Sequence, residues 1–328
     1  MERARVFITR LIPAEGIERM RTVAELEIWQ DELPPPYPIL LEKVSQIDGL
    51  VCLLTDKIDA TLMDAAGPNL KVISQYAVGH DNIDVRAATE RRIPVGNTPG
   101  VLTEATADLT WALLLSAARR IVEGDRYTRQ GCWKTWGPTL LLGADLSGAT
   151  LGIVGLGRIG TAVARRARGF DLRILYYDVT RQQEFEQDLG LEYAPFDELL
   201  HQADFITVHT WLSPETYHLF GEAEFKKMKQ TAVFVNAARG GIVDHQALYT
   251  ALKNGHIAYA ALDVTEPEPI LPDSPLLQLD NVIIVPHIAS ASVRTRTRMA
   301  MMAAENLIAG LNGQVLPHCV NPEVYGNL

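Results

Sequence analysis

The sequence predicts an α/β protein built from two Rossmann-like domains with parallel sheets. Short apolar runs, such as residues 151–154, alternate with helix-forming segments along most of the chain, which is typical of parallel sheets covered by helices. The length of 328 residues suits two domains better than one. A G-x-G-x-x-G turn follows a predicted strand in the second half, so the pattern of a nucleotide-binding site belongs to the second domain.

In the first hundred residues, strand and helix alternate without a glycine-rich turn. Strands are predicted at residues 6–9, 26–29, 49–54 and 72–75, and helices at residues 13–20, 39–45 and 61–66. The proline-rich segment 33–38 predicts a loop or a polyproline segment. This part of the chain therefore predicts an α/β domain that does not itself bind the nucleotide.

A long buried helix is predicted after the Pro99-Gly100 crossover, because small and apolar residues recur at helical spacing from Ala105 onward. The turn-rich segment that follows contains Trp133 and Trp136. Two exposed indoles here indicate a surface covered by a second subunit, although packing within the chain explains the same composition equally well.

The glycine turn lies between a predicted strand at 151–154 and a predicted helix at 161–168. Gly155 permits the tight turn, Gly157 lets the backbone approach a pyrophosphate, and Gly160 lets the helix pack closely on the strand. The phosphates then lie at a helix N-terminus, where free N–H groups and the helix dipole favour negative charge. This order of elements predicts a dinucleotide site.

Asp178 closes the next predicted strand, 172–177, and stands 18 positions after Gly160. A carboxylate at this place accepts hydrogen bonds from the adenosine ribose and repels a 2′-phosphate. NAD(H) is therefore favoured as the cofactor, and NADP(H) stays possible because Arg181, just beyond, could pair with a phosphate.

The second half of the chain continues the alternation of strands and helices. Strands are predicted at residues 204–209, 232–236, 259–264 and 282–285, and a helix at 246–254 ends at Gly255. The last helix repeats apolar residues on one face and falls outside this pattern, so we expect it to return to the N-terminal domain. The predicted organisation is a first domain in two parts, 1–99 and 289–328, around a dinucleotide-binding domain at 100–288.

Three polar side chains follow predicted strands of the second domain: Arg239, Glu268 and His287. Since ligands of open α/β sheets bind beyond the carboxyl ends of the strands, these residues can converge. A guanidinium suits a substrate carboxylate, an imidazole can donate a proton to a carbonyl oxygen, and a carboxylate can hold that imidazole in place. Taken singly, each residue also has an ordinary structural interpretation as a surface ion pair, a turn residue or a solvated acid.

The chain resembles the D-isomer-specific 2-hydroxyacid dehydrogenase family over nearly its whole length. The motifs that bear the resemblance are GIVGLGRIG, VNAARGGIVD, ALDVTEPEP and PHIASAS, in that order. The stretches LLTDKID, VLTEATADL and SPETYHL are similar to the glyoxylate/hydroxypyruvate reductase subgroup.

The resemblance implies that Arg239 grips the substrate carboxylate and that His287 is the acid/base with Glu268 as its partner. It makes residues 1–99 and 289–328 the substrate-binding domain. The resemblance also implies that Val78 and Gly79 supply backbone N–H groups to the substrate carboxylate, and that Leu54, Trp136 and Ser290 are further substrate contacts. The implied cofactor contacts, besides Arg239 and His287, are Thr106, Gly155, Gly157, Arg158, Ile159, Gly160, Asp178, His209, Thr210, Ala237 and Asp263. A homodimer is also implied, built through the long helix and an arm near residues 133–146, with Trp136 of one subunit facing the pocket of the other.

Two positions depart from the family pattern. His80 stands where the family often has tyrosine, and it adjoins the carboxylate-binding turn, so it could alter substrate choice. Trp211 stands where proline is common, and it follows Thr210, so it could reshape the cofactor side of the site.

The composition argues against several other classes of function. A net charge of −10 disfavours nucleic-acid and anionic-membrane binding. No apolar run reaches the roughly 18–20 residues of a membrane span, and the N-terminus lacks the features of a signal peptide. Cys52, Cys132 and Cys319 are too widely spaced for a metal or disulfide pattern, so we expect a cytoplasmic protein without a metal.

The predicted activity is hydride transfer from NAD(P)H to a small 2-keto acid, with glyoxylate or hydroxypyruvate giving glycolate or D-glycerate. One alternative is a D-2-hydroxyacid dehydrogenase that acts on larger 2-keto acids. A second alternative is an NADH-sensing binding protein without catalytic activity. The set of Arg239, Glu268 and His287 argues against the second alternative.

Overall fold

The computed structural model describes residues 3–326. The chain divides into two compact units, one formed by the residues up to Leu102 together with those from Ala291 onward, and the other by Thr103–Ser290. Each unit contains one sheet whose strands are all parallel, which confirms the predicted fold class.

The first unit has a five-stranded sheet in the order β2-β1-β3-β4-β5. Its strands are β1 (Ala4–Ile8), β2 (Ala24–Ile28), β3 (Gly49–Cys52), β4 (Val72–Gln75) and β5 (Val95–Gly96). The helices between them are α1 (Ala14–Arg21), α2 (Tyr37–Lys43), α3 (Ala60–Ala66) and α4 (Val85–Glu90). This strand order is one of the two common doubly wound arrangements.

The proline-rich segment departs from its prediction at its end. Tyr37 and Pro38 form the first turn of α2, whereas the sequence predicted a loop through residue 38. Proline fits this position because the first N–H groups of a helix have no intrahelical acceptor, so nothing is lost when one is missing.

The second unit has a seven-stranded sheet in the order β12-β11-β10-β9-β6-β7-β8. Its strands are β6 (Thr150–Val154), β7 (Arg173–Tyr177), β8 (Glu192–Tyr193), β9 (Phe205–Val208), β10 (Val233–Asn236), β11 (Tyr259–Leu262) and β12 (Val282–Ile284). Its helices are α5 (Thr103–Ala118), α6 (Ile121–Arg129), α7 (Arg158–Ala167), α8 (Gln183–Leu189), α9 (Phe196–Gln202), α10 (Glu222–Lys227) and α11 (His245–Lys253). The strand order reverses between β6 and β9, which marks the place where such sheets bind their ligands.

Apolar cores cover both faces of the second sheet. On one face, α5 supplies Trp111, whose ring stacks on Phe170 with centroids 4.5 Å apart and whose indole N–H donates to the Val163 carbonyl at 3.1 Å. On the other, Phe220 and Phe225 each pack edge-on against Phe234 of β10. The predicted long buried helix is thus present, and these cores hold the strand ends that form the site.

The last helix, α12 (Val293–Leu311), belongs to the first unit. It buries Ala300, Ala303 and Leu307 in the same core as β1 and β4. The Ser74 hydroxyl of β4 donates to the Ala303 carbonyl at 2.8 Å. The first unit is therefore discontinuous in sequence, as predicted from the apolar face of this helix.

No helix within residues 3–326 combines the length and apolarity that a bilayer span requires. The same residues contain no cluster of three or more histidine, cysteine or acidic side chains arranged to hold a metal ion.

Candidate active site

The glycine turn follows β6 and connects it to α7. Gly155 has φ +94°, a backbone conformation that side chains rarely adopt, and its N–H donates to the Tyr177 carbonyl at 2.8 Å. A Cβ atom here would lie 2.7 Å from the backbone of His209 and Thr210. The turn therefore requires glycine, and it packs directly against the end of β9.

The next two glycines have different surroundings. Gly157 is the N-cap of α7, and a Cβ atom on it would meet no atom within 4 Å. A Cβ atom on Gly160 would lie 2.1 Å from the Gly155 carbonyl oxygen. Helix α7 begins at Arg158 and not at residue 161 as predicted, so Arg158 and Ile159 form its first turn. The positive end of the helix dipole thus faces open space, which suits a pyrophosphate.

Asp178 lies directly after β7 and is half-buried. Its Oδ2 accepts from the Leu156 N–H at 2.7 Å and its Oδ1 from the Thr180 N–H at 3.1 Å. Because each carboxylate oxygen accepts two hydrogen bonds, both oxygens keep an acceptor position for ribose hydroxyls. The Leu156 bond ties this carboxylate to the glycine turn.

Arg181, just beyond Asp178, has a carboxylate partner of its own. Its guanidinium makes two hydrogen bonds to Glu186, at 2.7 and 2.8 Å, and lies over the Tyr193 ring. Arg181 and the Tyr176 hydroxyl lower the pKa of Glu186 to about 2, so this partner stays ionised. A 2′-phosphate would have to compete with that carboxylate for the arginine.

Two predicted cofactor contacts have buried polar atoms without partners. Within residues 3–326, the Thr106 hydroxyl oxygen and His209 Nε2 have no hydrogen-bond partner. Burial lowers the pKa of His209 to about 3, so its imidazole is neutral. Buried polar groups normally have partners, so these two atoms, together with the open space at Gly157, fit a bound dinucleotide.

The three chemistry-bearing loops follow β10, β11 and β12, which are neighbours in the sheet. His287 Nδ1 and Glu268 Oε1 lie 2.5 Å apart. Burial alone would raise the pKa of Glu268, but the hydrogen bond and the charge of His287 outweigh it and lower that pKa. The carboxylate is therefore ionised at neutral pH and holds the imidazole in one orientation, with Nε2 left for a ligand.

Asp263 fixes the loop that bears His287. Its carboxylate accepts from the Ile288 N–H at 2.6 Å and the Ala289 N–H at 2.9 Å, and its carbonyl accepts from the His287 N–H at 2.9 Å. Burial raises the pKa of Asp263, against the effect of these bonds. His287 itself has φ +52°. A non-glycine residue in this region is typical of functional sites where surrounding structure imposes the conformation.

Arg239 lies in the loop after β10, and Asn236, which the sequence analysis did not single out, shapes that loop. The fully buried Asn236 donates to the Arg239 carbonyl at 2.9 Å and accepts from the Ala238 N–H at 3.0 Å. The positive charge of Arg239 is among the causes that lower the pKa of Glu268. An asparagine as the last residue of an apolar strand was the available signal.

The remaining predicted residues are distributed as follows. Ala237 is buried, Thr210 and Ser290 are half-buried in the second unit, and Trp136 is 79% exposed in the irregular segment after α6. The first unit contains Leu54 in the loop after β3 and Val78 and Gly79 in the turn after β4.

The two residues that depart from the family pattern also differ in their surroundings. In the turn after β4, His80 has a buried Nδ1 atom without a partner within residues 3–326. Trp211, in the second unit, is 80% exposed.

A strand–glycine turn–helix site with an acid after the next strand, and a histidine–carboxylate pair beside an arginine on the same sheet, define a nicotinamide-dinucleotide-dependent oxidoreductase. The family model of the D-isomer-specific 2-hydroxyacid dehydrogenase NAD-binding domain matches residues 111–289. The chain belongs to the D-isomer-specific 2-hydroxyacid dehydrogenase family.

Relatives and solved structures agree with this assignment. A glyoxylate reductase of Korarchaeum cryptofilum is 57% identical over 321 residues, which cover 98% of this chain and 96% of the relative. The crystal structure of the TT0316 protein from Thermus thermophilus has a TM-score of 0.92 at 48% identity, covering 96% of this chain and 99% of that one. An NADPH-dependent glyoxylate/hydroxypyruvate reductase from Sinorhizobium meliloti, in complex with NADP and malonate, has a TM-score of 0.86 at 34% identity, covering 98% of each chain.

Proposed function

We propose that this oxidoreductase reduces glyoxylate to glycolate with NADH as the preferred cofactor, and that hydroxypyruvate is a second substrate. The observation that best supports the proposal is the His287–Glu268 pair, 2.5 Å apart, at the same edge of the sheet as Arg239. The names of the relatives support glyoxylate as the 2-keto acid.

Each side chain has a defined part in the proposed reaction. Arg239 binds the substrate carboxylate with its guanidinium fork. NADH, when bound, supplies the hydride that reaches the carbonyl carbon. The carbonyl oxygen then takes a proton from Nε2 of His287, because Nδ1 is engaged by Glu268. Ionised Glu268 stabilises the imidazolium before the transfer and keeps the ring in place.

Initial rates with glyoxylate, hydroxypyruvate, pyruvate and a branched six-carbon 2-keto acid, each with NADH and NADPH, test the proposal. We expect the highest kcat/KM with glyoxylate or hydroxypyruvate and NADH. The highest value with the six-carbon acid would favour the dehydrogenase of larger 2-keto acids. Tight NADH binding without turnover of any of the four 2-keto acids would favour the alternative of an NADH-sensing binding protein.

The cofactor preference is proposed to depend on Asp178. Replacing Asp178 with serine removes the charge that repels a 2′-phosphate, so the ratio of kcat/KM with NADPH to that with NADH is expected to rise about tenfold or more, equivalent to roughly 1.4 kcal/mol. The matched control is Asp188→Ser, which removes the same charge from an exposed position on α8. An equal ratio in both variants would mean that Asp178 does not set the preference.

We also propose a homodimer in a reducing, cytoplasmic setting. Trp133, Trp136 and Leu142 expose 60%, 79% and 64% of their surface, a concentration of apolar area that a second copy would cover. All three cysteines are free. Sedimentation equilibrium is expected to give twice the chain mass of 36.2 kDa, and a mass of one chain at micromolar concentration would contradict the dimer.

A further inference from the structure

The turn after β4 has an unusual arrangement of hydrogen bonds. Three consecutive carbonyl oxygens in it accept hydrogen bonds from other parts of the first unit. The Ala77 carbonyl accepts from the Thr98 N–H at 2.9 Å. The Val78 carbonyl accepts from Asn97 Nδ2 at 2.8 Å, and the Gly79 carbonyl accepts from Gln75 Nε2 at 3.1 Å.

These bonds fix the direction of the N–H groups as well. A trans peptide is planar, so its N–H points opposite to its carbonyl. Holding the Ala77 and Val78 carbonyls therefore orients the N–H groups of Val78 and Gly79. Among the hydrogen bonds within residues 3–326, none uses either of these two N–H groups as its donor. The turn thus presents two oriented donors to a ligand.

Gln75 and Asn82 connect this turn to the loop after β3. Gln75 is fully buried, and its Nε2 also donates to Asn82 Oδ1 at 2.7 Å, while its Oε1 accepts from Cys52 Sγ at 3.0 Å. Asn82 Nδ2 in turn donates to the carbonyls of Leu53 and Asp56, at 3.0 and 2.8 Å. The two loops that contain the predicted substrate contacts Leu54, Val78 and Gly79 are therefore held by one network of amide side chains. Satisfied buried networks of this kind make their surroundings rigid.

We propose that Asn97 is a positioning residue that orients the Gly79 N–H group for the substrate carboxylate by holding the Val78 carbonyl. Gln75 and Asn82 are positioning residues that hold the next peptide, through the Gly79 carbonyl, and so fix the end of the same turn. The proposal rests on the proposed function, because it requires that the substrate is a 2-keto acid. Donors that are already aligned bind an anion more strongly than donors that must rotate into place, since no reorganisation is needed when the ligand arrives. The amide network thus acts through the backbone and touches no reacting atom.

The test compares two variants of the network with one control. Asn97→Leu keeps side-chain size but removes the donor to the Val78 carbonyl, so the Gly79 N–H is no longer held in one direction. Gln75→Met removes the donor to the Gly79 carbonyl, so it loosens the end of the turn without directly releasing the Val78 or Gly79 N–H. The control is Ser74→Ala, because Ser74 is an equally buried polar residue of β4 whose hydroxyl bonds the Ala303 carbonyl and not the turn. Asn97→Leu leaves the backbone bonds of residue 97 to His318 and Asn306 in place.

In Asn97→Leu, we expect the KM for glyoxylate and the inhibition constant of oxalate to rise about tenfold or more, where a tenfold change is equivalent to roughly 1.4 kcal/mol. In Gln75→Met, we expect both constants to rise by a smaller factor, because its bond holds only the end of the turn. The dissociation constant of NADH is expected to stay unchanged, and kcat is expected to change less than KM. Ser74→Ala is expected to lower the melting temperature and leave both constants as they are.

Each outcome separates this proposal from the proposed function. If the unaltered enzyme fails to reduce glyoxylate, the proposed function is wrong. If it reduces glyoxylate and Asn97→Leu, with a normal melting temperature, keeps the KM and the oxalate constant, the positioning role is wrong. A loss of NADH affinity equal to the loss of glyoxylate affinity would also contradict it, because the network would then act through general destabilisation. Should Gln75→Met fail to fold, Asn97→Leu decides the question. Asn97 lies just after β5 and is only half-buried, so its replacement disturbs the core less.

Discussion

Replacing His287 with asparagine is expected to lower kcat for glyoxylate reduction by a factor of about 10² to 10⁴, the usual contribution of a positioned proton donor. The amide cannot deliver a proton to the forming alkoxide. Asparagine is chosen over alanine because residue 287 has φ +52°, and asparagine adopts this backbone region more readily than most residues. Stopped-flow measurement of NADH oxidation gives kcat, and fluorescence titration gives the dissociation constant of NADH.

The control for this variant is His201→Asn, which removes an exposed imidazole from α9 in the same unit. It is expected to keep full activity. Asparagine at position 287 with near-normal turnover would exclude His287 as the proton donor. A loss of NADH affinity as large as the loss of kcat would instead assign His287 to cofactor binding.

Arg239→Lys is expected to reduce kcat/KM for glyoxylate about 10- to 100-fold, because a charge-assisted hydrogen bond contributes roughly 1.5–3 kcal/mol. Lysine keeps the positive charge but replaces the planar fork with a single ammonium, so one of the two bonds to the carboxylate is lost. The oxalate inhibition constant is expected to rise by a similar factor. Steady-state kinetics at saturating NADH measures both.

The matched control for the arginine is Arg173→Lys. Arg173 is the first residue of β7 and therefore lies at the amino ends of the strands, whereas Arg239 follows the carboxyl end of β10. Its guanidinium forms a bidentate pair with Glu192. This exposed pair is expected to contribute little to activity. Equal kinetics in Arg239→Lys and the unaltered enzyme would show that the Arg239 guanidinium does not bind the substrate carboxylate.

Much of the fold follows from local patterns in the sequence. Largely apolar runs of four to six residues predicted β3, β6 and β10 within one or two residues, because strands buried on both faces need such runs. The apolar face of α12 predicted its return to the first unit, since an amphipathic helix must bury that face. Gly155 and Gly160 were assigned from their spacing, and the structure gives each of them a steric reason.

Local sequence patterns did not predict the hydrogen-bond networks that support the site. Asn236 ends β10 and Asn97 directly follows β5, and asparagine at such places is equally common in ordinary turns. Nothing in the local sequence says which carbonyl each amide will bond. Gln75 bonds to Gly79 and Asn82, four and seven residues away, through the shape of a turn that only the folded backbone defines. The sequence analysis also placed the start of α7 too late, because the G-x-G-x-x-G pattern does not indicate that the backbone is already helical at Arg158. The roles of the site residues stay predictions until the variants are measured.

The most direct test of the central claim, that His287 delivers the proton while ionised Glu268 supports it, is the pH dependence of kcat/KM in the unaltered enzyme and in Glu268→Gln. Because His287 lowers the pKa of Glu268, the carboxylate is charged throughout the neutral range and gains its proton only well on the acid side. We predict that kcat/KM of the unaltered enzyme falls on the acid side as Glu268 gains a proton, and that Glu268→Gln has a lower kcat/KM at neutral pH and lacks this acid-side fall, because its amide is neutral at every pH. Superimposable pH profiles for the two proteins would contradict the claim.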